Sequence, residues 1–290
     1  MSEPSIRSLL TKGEVLYAPG VWDGLAAKLA EKAGFKALCS SGYAISASLG
    51  MPDAELYTAS ENLGAVQRIR QGSRLPLVAD IDTGYGNAVN VRRTVQMFED
   101  AGATALFMED QVAPKRCPIC VGDPVPVLPL EEAVGKVRAA VEARHSPDTV
   151  IIARTDSSGD DAMRRAEAYA AAGADLIMPV TKTFSSIEEW AKCSDAVGNG
   201  LVATLTSNTW VEKEFSEEVL KELDVRLALI PTQGIHVAAE AILNAFTLLS
   251  KGGRPTELAN VAMPHMQFIS ILGFPEVEEL QQRYLPKAEA

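Results

Sequence analysis

Four acidic side chains end two short apolar segments of this sequence. Asp80 and Asp82 are two residues apart in VADIDTGYGN, and Glu109 and Asp110 end the next apolar segment, ALFM. If both segments are strands of successive βα units, Asp80 and Asp82 leave the same strand face and the two clusters lie near each other. Neither cluster is followed directly by Lys or Arg, so the carboxylates would repel one another without a cation between them. Mg²⁺ binds such oxygen clusters, so Asp80, Asp82 and Glu109 are predicted to hold Mg²⁺, with Mn²⁺ as the alternative.

Three further side chains could take part in chemistry beside this metal. Cys117 follows Lys115 and Arg116 in KRCPICVGDP, and their charges would lower its pKa and favour the thiolate; a buried, inert cysteine is the structural alternative. Arg154 ends the apolar segment VIIAR, and its planar donors suit a ligand carboxylate as well as a structural ion pair. Tyr43 is either a packing residue or a proton carrier.

These residues need a regular scaffold, and strand and helix patterns alternate eight times along the chain. The predicted strands are Val15–Ala18, Ala37–Ser41, Leu75–Ile81, Ala105–Met108, Val150–Ala153, Leu176–Val180, Leu201–Leu205 and Leu227–Ile230. Three of the helical segments end in Ala-Gly, at 33–34, 101–102 and 172–173, and this glycine supplies the left-handed residue that closes a helix. Eight βα units predict an α/β fold, a (β/α)8 TIM barrel with functional residues at the C-terminal strand ends. An open doubly wound sheet is the competing fold, but no Gly-x-Gly-x-x-Gly follows the first strand.

Composition sets the class of protein and the partners. The chain has 290 residues and a net charge of −11, which suits one barrel domain and argues against a nucleic acid partner. It shows no apolar segment long enough for a bilayer, no secretory signal, and four cysteines, so we expect a cytoplasmic enzyme with free thiols. The helical tail from about residue 252 would expose Leu272, Phe274, Val277, Leu280 and Leu285, which suits a homo-oligomer.

Four motifs together resemble the isocitrate lyase and phosphoenolpyruvate mutase superfamily. They are SGYAISASLGMPD at 41–53, ADIDTGYGN at 79–87, MEDQVAPKRC at 108–117 and IIARTD at 151–156. The resemblance covers nearly the whole chain, in order and spacing. It implies a (β/α)8 barrel whose eighth helix is swapped between subunits, in a homotetramer built as a dimer of dimers.

The resemblance also implies roles for individual residues. A small carboxylic acid substrate would be bound through its carboxylate by Ser41 and Gly42, with Arg154 holding an anionic group. Asp53 would support the metal waters or the substrate, and Mg²⁺ would lie near the three carboxylates. The loop at 112–125 resembles a mobile gate, whose cysteine, here Cys117, protonates the departing enolate in the lyase branch.

Departures from the superfamily pattern concern the distal half of the site. Pro118, Ile119 and Cys120 replace the Gly-His that follows the cysteine, and Phe107 replaces a histidine. The sixth strand ends in Met178-Pro179-Val180, without the usual glutamate, and the seventh strand is followed by Thr206-Ser207-Asn208-Thr209. With Phe107, Pro179 and Ile119 in place of polar groups, we expect a poor fit for tricarboxylates and a better fit for alkyl substituents.

These inferences together predict a Mg²⁺-dependent lyase of the methylisocitrate or dimethylmalate type. It would break the C2–C3 bond of a substituted 2-hydroxy acid, giving a 2-oxo acid and a carboxylic acid. Either Tyr43 or a metal-bound water takes the hydroxyl proton, and Cys117 protonates the enolate. One alternative is oxaloacetate decarboxylation or phosphonopyruvate and phosphoenolpyruvate mutase chemistry, which needs only the metal half of the site. Another is a non-catalytic binding homologue, suggested by the loss of the Gly-His pair.

Overall fold

The computed structural model describes residues 5–120 and 125–285 of the chain. The chain separates into two compact units, Met1–Ile235 and His236–Ala290. The first unit contains all eight strands of the described residues, and the second is helical. A single domain with a helical tail from about residue 252 stays a prediction, because a separation into compact units does not show which parts fold independently.

Eight parallel strands of the first unit close into a barrel. They are β1 (Leu16–Val21), β2 (Leu38–Ser40), β3 (Leu77–Asp80), β4 (Ala105–Glu109), β5 (Val150–Thr155), β6 (Leu176–Pro179), β7 (Leu201–Thr204) and β8 (Val225–Ile230). Each strand pairs with the next, and β8 pairs with β1 from Leu16 opposite Leu227 to Pro19 opposite Ile230. The predicted (β/α)8 barrel is confirmed and the open sheet is wrong. Every predicted strand segment contains an observed strand or overlaps one.

Helices surround the barrel and connect its strands. They are α1 (Ile6–Leu9), α2 (Gly24–Lys32), α3 (Gly42–Ser48), α4 (Ala59–Gly72), α5 (Ala88–Asp100), α6 (Leu130–Ala143), α7 (Gly159–Ala171), α8 (Ile187–Val197), α9 (Trp210–Glu214) and α10 (Glu217–Glu222). Gly34, Gly102 and Gly173, which follow α2, α5 and α7, have φ values of 98°, 95° and 98°. The three predicted Ala-Gly stops therefore do end helices in the left-handed conformation, which costs glycine little.

The strands are buried on both faces, which explains their continuous apolar character. One set of side chains fills the barrel interior, among them Leu16, Val78, Phe107, Ile152 and Leu227. Side chains on the outer strand faces pack against the helix layer in two further clusters. The C-terminal strand ends are thus fixed from inside and outside, so the residues that follow them have defined positions.

The loop after β4 contains the predicted gate. An antiparallel bridge between Gln111 and Val127 closes its base, and Val112 N–H donates to the Pro126 carbonyl at 2.9 Å. Residues 121–124 of the predicted gate at 112–125 lie outside the described residues. In the following sections, the cysteine loop means residues 112–120.

The C-terminal unit consists of helices that bury none of their side chains. Helix α11 (Gln233–Ser250) enters this unit, a 3-10 turn (Pro255–Leu258) follows, and then come α12 (His265–Leu272) and α13 (Phe274–Tyr284). The predicted apolar residues of the tail are 40% (Leu272), 52% (Phe274), 47% (Val277), 46% (Leu280) and 60% (Leu285) exposed. Among the described helices, none is long and apolar enough to cross a membrane. The cytoplasmic location stays a prediction.

Candidate active site

The C-terminal strand ends surround a cavity of about 80 Å³. Six of the predicted site residues line it: Ser41, Tyr43, Asp53, Asp80, Cys117 and Arg154. The other three, Gly42, Asp82 and Glu109, lie behind this lining and contact residues that form it. The barrel therefore brings together side chains that are up to 113 positions apart in the sequence, from Ser41 to Arg154.

Asp80 is held by backbone amides at the end of β3. Its Oδ2 accepts from Gly42 N–H at 3.0 Å and its Oδ1 from Asp82 N–H at 3.0 Å. Burial raises the pKa of Asp80 to about 6, although Lys115 lowers it, and the charge of Asp82 adds to the increase. Asp80 is therefore a buried carboxyl that holds its proton to a higher pH than an ordinary aspartic acid.

Lys115 of the cysteine loop is the cation between the other carboxylates. Its Nζ lies 2.6 Å from Asp82 Oδ1, 3.0 Å from Asp53 Oδ1 and 3.9 Å from Glu109 Oε1. The Lys115 side chain is 3% exposed, so these ion pairs are well shielded from water. This role of Lys115 was not predicted from the sequence, in which it stood out only as a neighbour of Cys117. The signal was available: a lysine in the loop that follows the β4 acids.

Arg154 is the second cation of the cluster. Its Nε and Nη2 donate to the two carboxylate oxygens of Asp156 at 2.9 and 2.8 Å, and its Nη1 lies 2.6 Å from Glu109 Oε2. The structural ion pair, which was the alternative for this residue, is thus present. Since a guanidinium has five N–H donors, two remain to face the cavity that Arg154 lines. Its predicted role as an anion clamp stays a prediction.

The predicted metal ligands fit Mg²⁺ by chemistry, though not by their present arrangement. Asp82 Oδ1 and both Glu109 carboxylate oxygens are buried, and their partners are the Lys115 ammonium and the Arg154 guanidinium. They are the hard oxygen atoms that Mg²⁺ prefers. However, within residues 5–120 and 125–285 no three His, Cys, Asp or Glu side chains are grouped as an ion site. The ammonium of Lys115 lies between these oxygens. The carboxylates therefore form a cation-binding cluster in which the Lys115 ammonium lies where a metal ion would bind.

The adjacent carboxylates at the end of β4, Glu109 and Asp110, have different surroundings. Glu109 lies inside the barrel with the cations, whereas Asp110 faces the helix layer. Asp110 accepts hydrogen bonds from Thr155 Oγ1 at 2.8 Å, Tyr169 OH at 2.7 Å and the Asp156 amide at 2.9 Å. Asp110 therefore fixes the β4 and β5 ends from outside and does not reach the cavity.

The start of α3 lies directly against Asp80. Ser41 is the N-cap, and its Oγ accepts from Ala44 N–H at 3.3 Å. A Cβ at position 42 would lie 2.7 Å from Asp80 Oδ2 and 2.8 Å from Tyr57 OH, so only glycine allows this approach. The helix N-terminus and the β3 carboxylate thus form one unit, and the substrate-binding role of Ser41 and Gly42 stays a prediction.

The predicted thiolate at Cys117 is wrong. Cys117 is 6% exposed, and burial raises its pKa well above the usual thiol value, with further contributions from Asp53 and Cys120. The positive charge expected from Lys115 is paired with carboxylates instead. A thiol that keeps its proton is poorly suited as a nucleophile, but it has the protonation state that an acid catalyst needs.

Tyr43 lies on α3 and lines the same cavity. Burial raises the pKa of Tyr43, and the neighbouring Cys120, Cys117 and Asp53 raise it further. A phenol in this state holds its proton at neutral pH. This argues against Tyr43 as the base that takes a substrate proton and in favour of a hydrogen-bond donor.

The distal wall is mostly apolar, as the departures predicted. Phe107, Ile119, Met178, Val180 and Leu229 line it. Pro179 was predicted to belong to this wall, but strand alternation directs Met178 and Val180 to the cavity and Pro179 is not part of the lining.

Hydroxyl groups and one lysine interrupt this apolar wall. The cavity lining also contains Thr181, Lys182, Thr204, Thr206 and Thr232. Thr204 Oγ1 is buried without a hydrogen-bond partner. Sequence reasoning did not single out Thr204, since a hydroxyl within an apolar strand gives no distinctive signal.

Known proteins share this architecture. Residues 6–249 match the family model for phosphoenolpyruvate phosphomutase. The chain is 34% identical to a 2,3-dimethylmalate lyase of Eubacterium barkeri over 96% of both chains. It is 34% identical to a 2-methylisocitrate lyase of Aeropyrum pernix over 98% of this chain and 91% of the relative. A solved phosphonopyruvate hydrolase in complex with oxalate and Mg²⁺ has a TM-score of 0.84 and 31% identity, covering 97% of this chain and 98% of that one. The chain therefore belongs to the phosphoenolpyruvate mutase and isocitrate lyase superfamily, whose members are carbon–carbon lyases, hydrolases and mutases.

Proposed function

We propose that the protein is a Mg²⁺-dependent carbon–carbon lyase that cleaves an alkyl-substituted malate to a 2-oxo acid and a carboxylic acid. The observation that carries this proposal is the buried thiol of Cys117, which lines the same small cavity as Asp80 and Arg154 and whose pKa is raised by that burial. A lyase needs an acid at this place, because the bond cleavage leaves an enolate that must gain a proton.

Asp80, Asp82 and Glu109 would hold the metal. When bound, Mg²⁺ supplies Lewis acidity at an oxygen of the substrate and reduces the excess of carboxylates over cations in the cluster. The solved structure of the related phosphonopyruvate hydrolase contains Mg²⁺ and oxalate. This supports Mg²⁺ rather than Mn²⁺ as the metal of the present protein. Lys115 would have to leave the carboxylates to make room.

The protein's own residues position the substrate and manage its protons. The Ser41 hydroxyl and the two remaining N–H groups of Arg154 would bind carboxylate oxygens, while the Gly42 amide holds Asp80 in place. A water molecule in the cavity takes the hydroxyl proton, the C2–C3 bond breaks, and the bonding electrons pass into the enolate of the departing carboxylic acid. Cys117 Sγ–H protonates the α-carbon of this enolate. The raised pKa of Tyr43 argues against its taking the hydroxyl proton.

The distal wall supports a substrate with an alkyl substituent. Phe107, Met178, Val180 and Leu229 offer apolar contacts, and each methylene that they bury contributes about 0.8 kcal/mol. Lys182 lines the same wall and would suit the second carboxylate of a malate. The 2,3-dimethylmalate lyase relative carries the corresponding activity in its name.

A panel of 2-hydroxy diacids tests the proposal. Malate, its 2- and 3-alkyl derivatives, isocitrate and methylisocitrate are incubated with the protein and Mg²⁺, and release of a 2-oxo acid is measured. We expect turnover of an alkyl malate that a chelator abolishes. Turnover that survives complete removal of the metal would contradict the mechanism, and Mg²⁺ binding without any turnover would indicate a binding homologue.

Decarboxylation of oxaloacetate or phosphonopyruvate chemistry is the second candidate. The likeness to the phosphonopyruvate hydrolase structure favours it, since the carboxylates, Ser41, Gly42 and Arg154 do not depend on the cysteine. Including both compounds in the panel separates the candidates. Undiminished turnover in Cys117→Ser would favour this second function.

We also propose a homotetramer in which the C-terminal unit packs between subunits, with α11 exchanged between them. Val237, Leu243 and Phe246 on α11 are 70%, 61% and 66% exposed, a degree of apolar exposure that a monomer rarely tolerates. Light scattering should give the mass of four chains. A replacement of Phe246 by Glu should lower this mass, whereas a monomeric wild type would contradict the assembly.

A further inference from the structure

Glu55 has an unusual backbone conformation beside the active site. It lies between α3 and α4 with φ of 53°, the left-handed region that side-chain-bearing residues seldom adopt. Such conformations persist where the surrounding structure requires them, and they are common at functional sites. Glycine would adopt this conformation more easily, so we expect contacts of the Glu55 side chain that explain its presence here.

The carboxylate of Glu55 joins two loops that surround the cavity. Its Oε1 accepts from Thr83 Oγ1 at 2.6 Å, and its Oε2 accepts from the Lys115 backbone N–H at 3.1 Å. Thr83 follows β3 and is fully buried, and its carbonyl accepts from the buried Lys136 Nζ of α6. One end of this bridge is thus fixed to the barrel, while the other end holds the cysteine loop.

A second contact from the same short segment reaches the same lysine. Asp53 Oδ1 lies 3.0 Å from Lys115 Nζ, so residues 53 and 55 bind the side chain and the backbone of Lys115. Cys117 is two residues further along the loop and lines the cavity. A displacement of the Lys115 backbone would therefore move the thiol.

We propose that Glu55 is a positioning residue that latches the cysteine loop against the barrel through Thr83. Glu55 itself is not part of the cavity lining, and it contacts the cation cluster through the Lys115 backbone N–H, which it holds in place. The expected effect of Glu55 on catalysis rests on the proposed role of Cys117, whereas its effect on the position of the loop does not. A carboxylate serves here because its two oxygens accept from two separate donors, whereas an amide has only one acceptor oxygen.

Limited trypsin digestion tests the latch without reference to activity. Cleavage after Lys115, whose side chain is buried, requires the loop to open, and cleavage after the exposed Lys251 serves as an internal reference. In Glu55→Gly, which tolerates the positive φ and should keep the fold intact, we expect loop cleavage to rise about tenfold, as expected for loss of a hydrogen bond to a charged group. Glu55→Gln should fall between wild type and Glu55→Gly.

Variants of Thr83 provide the matched control. Thr83→Val removes the hydroxyl and should open the loop, whereas Thr83→Ser keeps it and should retain the protection. Unchanged cleavage in both Glu55→Gly and Thr83→Val would overturn the proposal. Equal increases in Thr83→Ser and Thr83→Val would overturn it as well, since they would indicate general loosening of the packing.

Kinetics then connect the latch to catalysis. If the substrate binds productively only to the latched loop, KM rises by the factor by which the latched fraction falls, and kcat at saturation stays nearly unchanged. A fall of kcat with unchanged KM in Glu55→Gly would overturn the positioning role. Absence of lyase turnover in the wild type, with trypsin results as expected, would refute the proposed function and leave the latch in place.

Discussion

The inner and distal walls of the cavity differ sharply in chemistry. The inner wall holds buried carboxylates neutralised by Lys115 and Arg154, with ion pairs as short as 2.6 Å. The distal wall consists of apolar side chains from β4, β6, β8 and the cysteine loop, interrupted by threonines. Phe107 and Glu109 show the contrast within one strand, since they lie two residues apart on the same face of β4.

The difference between the walls separates reaction from selectivity. The inner wall has interlocked contacts, in which each carboxylate has a specific amide or cation partner, so that a change at one residue affects the others. The distal wall depends on shape and apolar area, which tolerate substitution more readily. We therefore expect changes on the inner wall to abolish the chemistry and changes on the distal wall to alter substrate choice.

Cys117, at the junction of the two walls, should give the largest effect. Replacement by Ala removes the proton donor and should lower kcat for an alkyl malate by about 10²–10⁴. Cys120→Ser, a change of an exposed neighbour, should retain most of the activity. Comparison of kcat for both variants under saturating substrate checks this. Equal losses would show that the loop is sensitive to any change and that the thiol has no special role.

Substrate preference measures the distal wall directly. A tricarboxylate would place a charged group against Phe107 and Met178, and an incompletely paired buried carboxylate costs several kcal/mol. The kcat/KM for an alkyl malate should therefore exceed that for methylisocitrate by about 100-fold or more. Preference for the tricarboxylate would mean that a cation other than Lys182 serves that extra carboxylate.

The pH dependence of Mg²⁺ binding tests the inner wall. The expected change in affinity is smaller than the changes in kcat and in kcat/KM described above. Asp80 has a pKa raised to about 6, mainly by burial, and Mg²⁺ binds the ionised form, so apparent affinity should fall about tenfold per pH unit below this value. The stability of the metal-free protein should depend on pH in the opposite direction. The folded state holds the Asp80 proton more tightly than the unfolded state, so this residue's contribution to stability falls as pH rises through about 6.

Thermal unfolding with and without Mg²⁺ between pH 5 and pH 7 provides the measurement. The increase in Tm caused by Mg²⁺ should grow across this range. An increase that is independent of pH would show that Asp80 is not a ligand or that its pKa is not raised.

The barrel could be predicted from the sequence because its signals are local. Apolar strands, helical segments and Ala-Gly helix ends each depend on a few neighbouring residues. The helix ends show this directly, because Gly34, Gly102 and Gly173 all have the expected positive φ. The location of Asp80 and Arg154 at the cavity followed from their places at strand ends.

Charge pairing across loops could not be predicted in the same way. The Lys115 side chain meets carboxylates from positions 53, 82 and 109, and a loop conformation that brings it there leaves no periodic trace in the sequence. The thiolate prediction for Cys117 was wrong for the same reason. It assumed that the charge of the neighbouring Lys115 acts on the thiol, whereas this charge is paired with Asp53 and Asp82. The latch at Glu55 was missed because one acidic residue in a loop looks like a solvated surface charge.

The opposite orientations of Glu109 and Asp110 limit how β4 can change in length. Successive residues of a strand face opposite sides, so loss of a single residue upstream in β4 would move Asp110 into the barrel and Gln111 into the contacts with Thr155 and Tyr169. The carboxylate facing the cations would then be one methylene shorter, and the outer network would have an amide in place of an anion. Insertions and deletions in this strand should therefore be far more damaging than replacements, even though each shifted position would still carry a polar side chain.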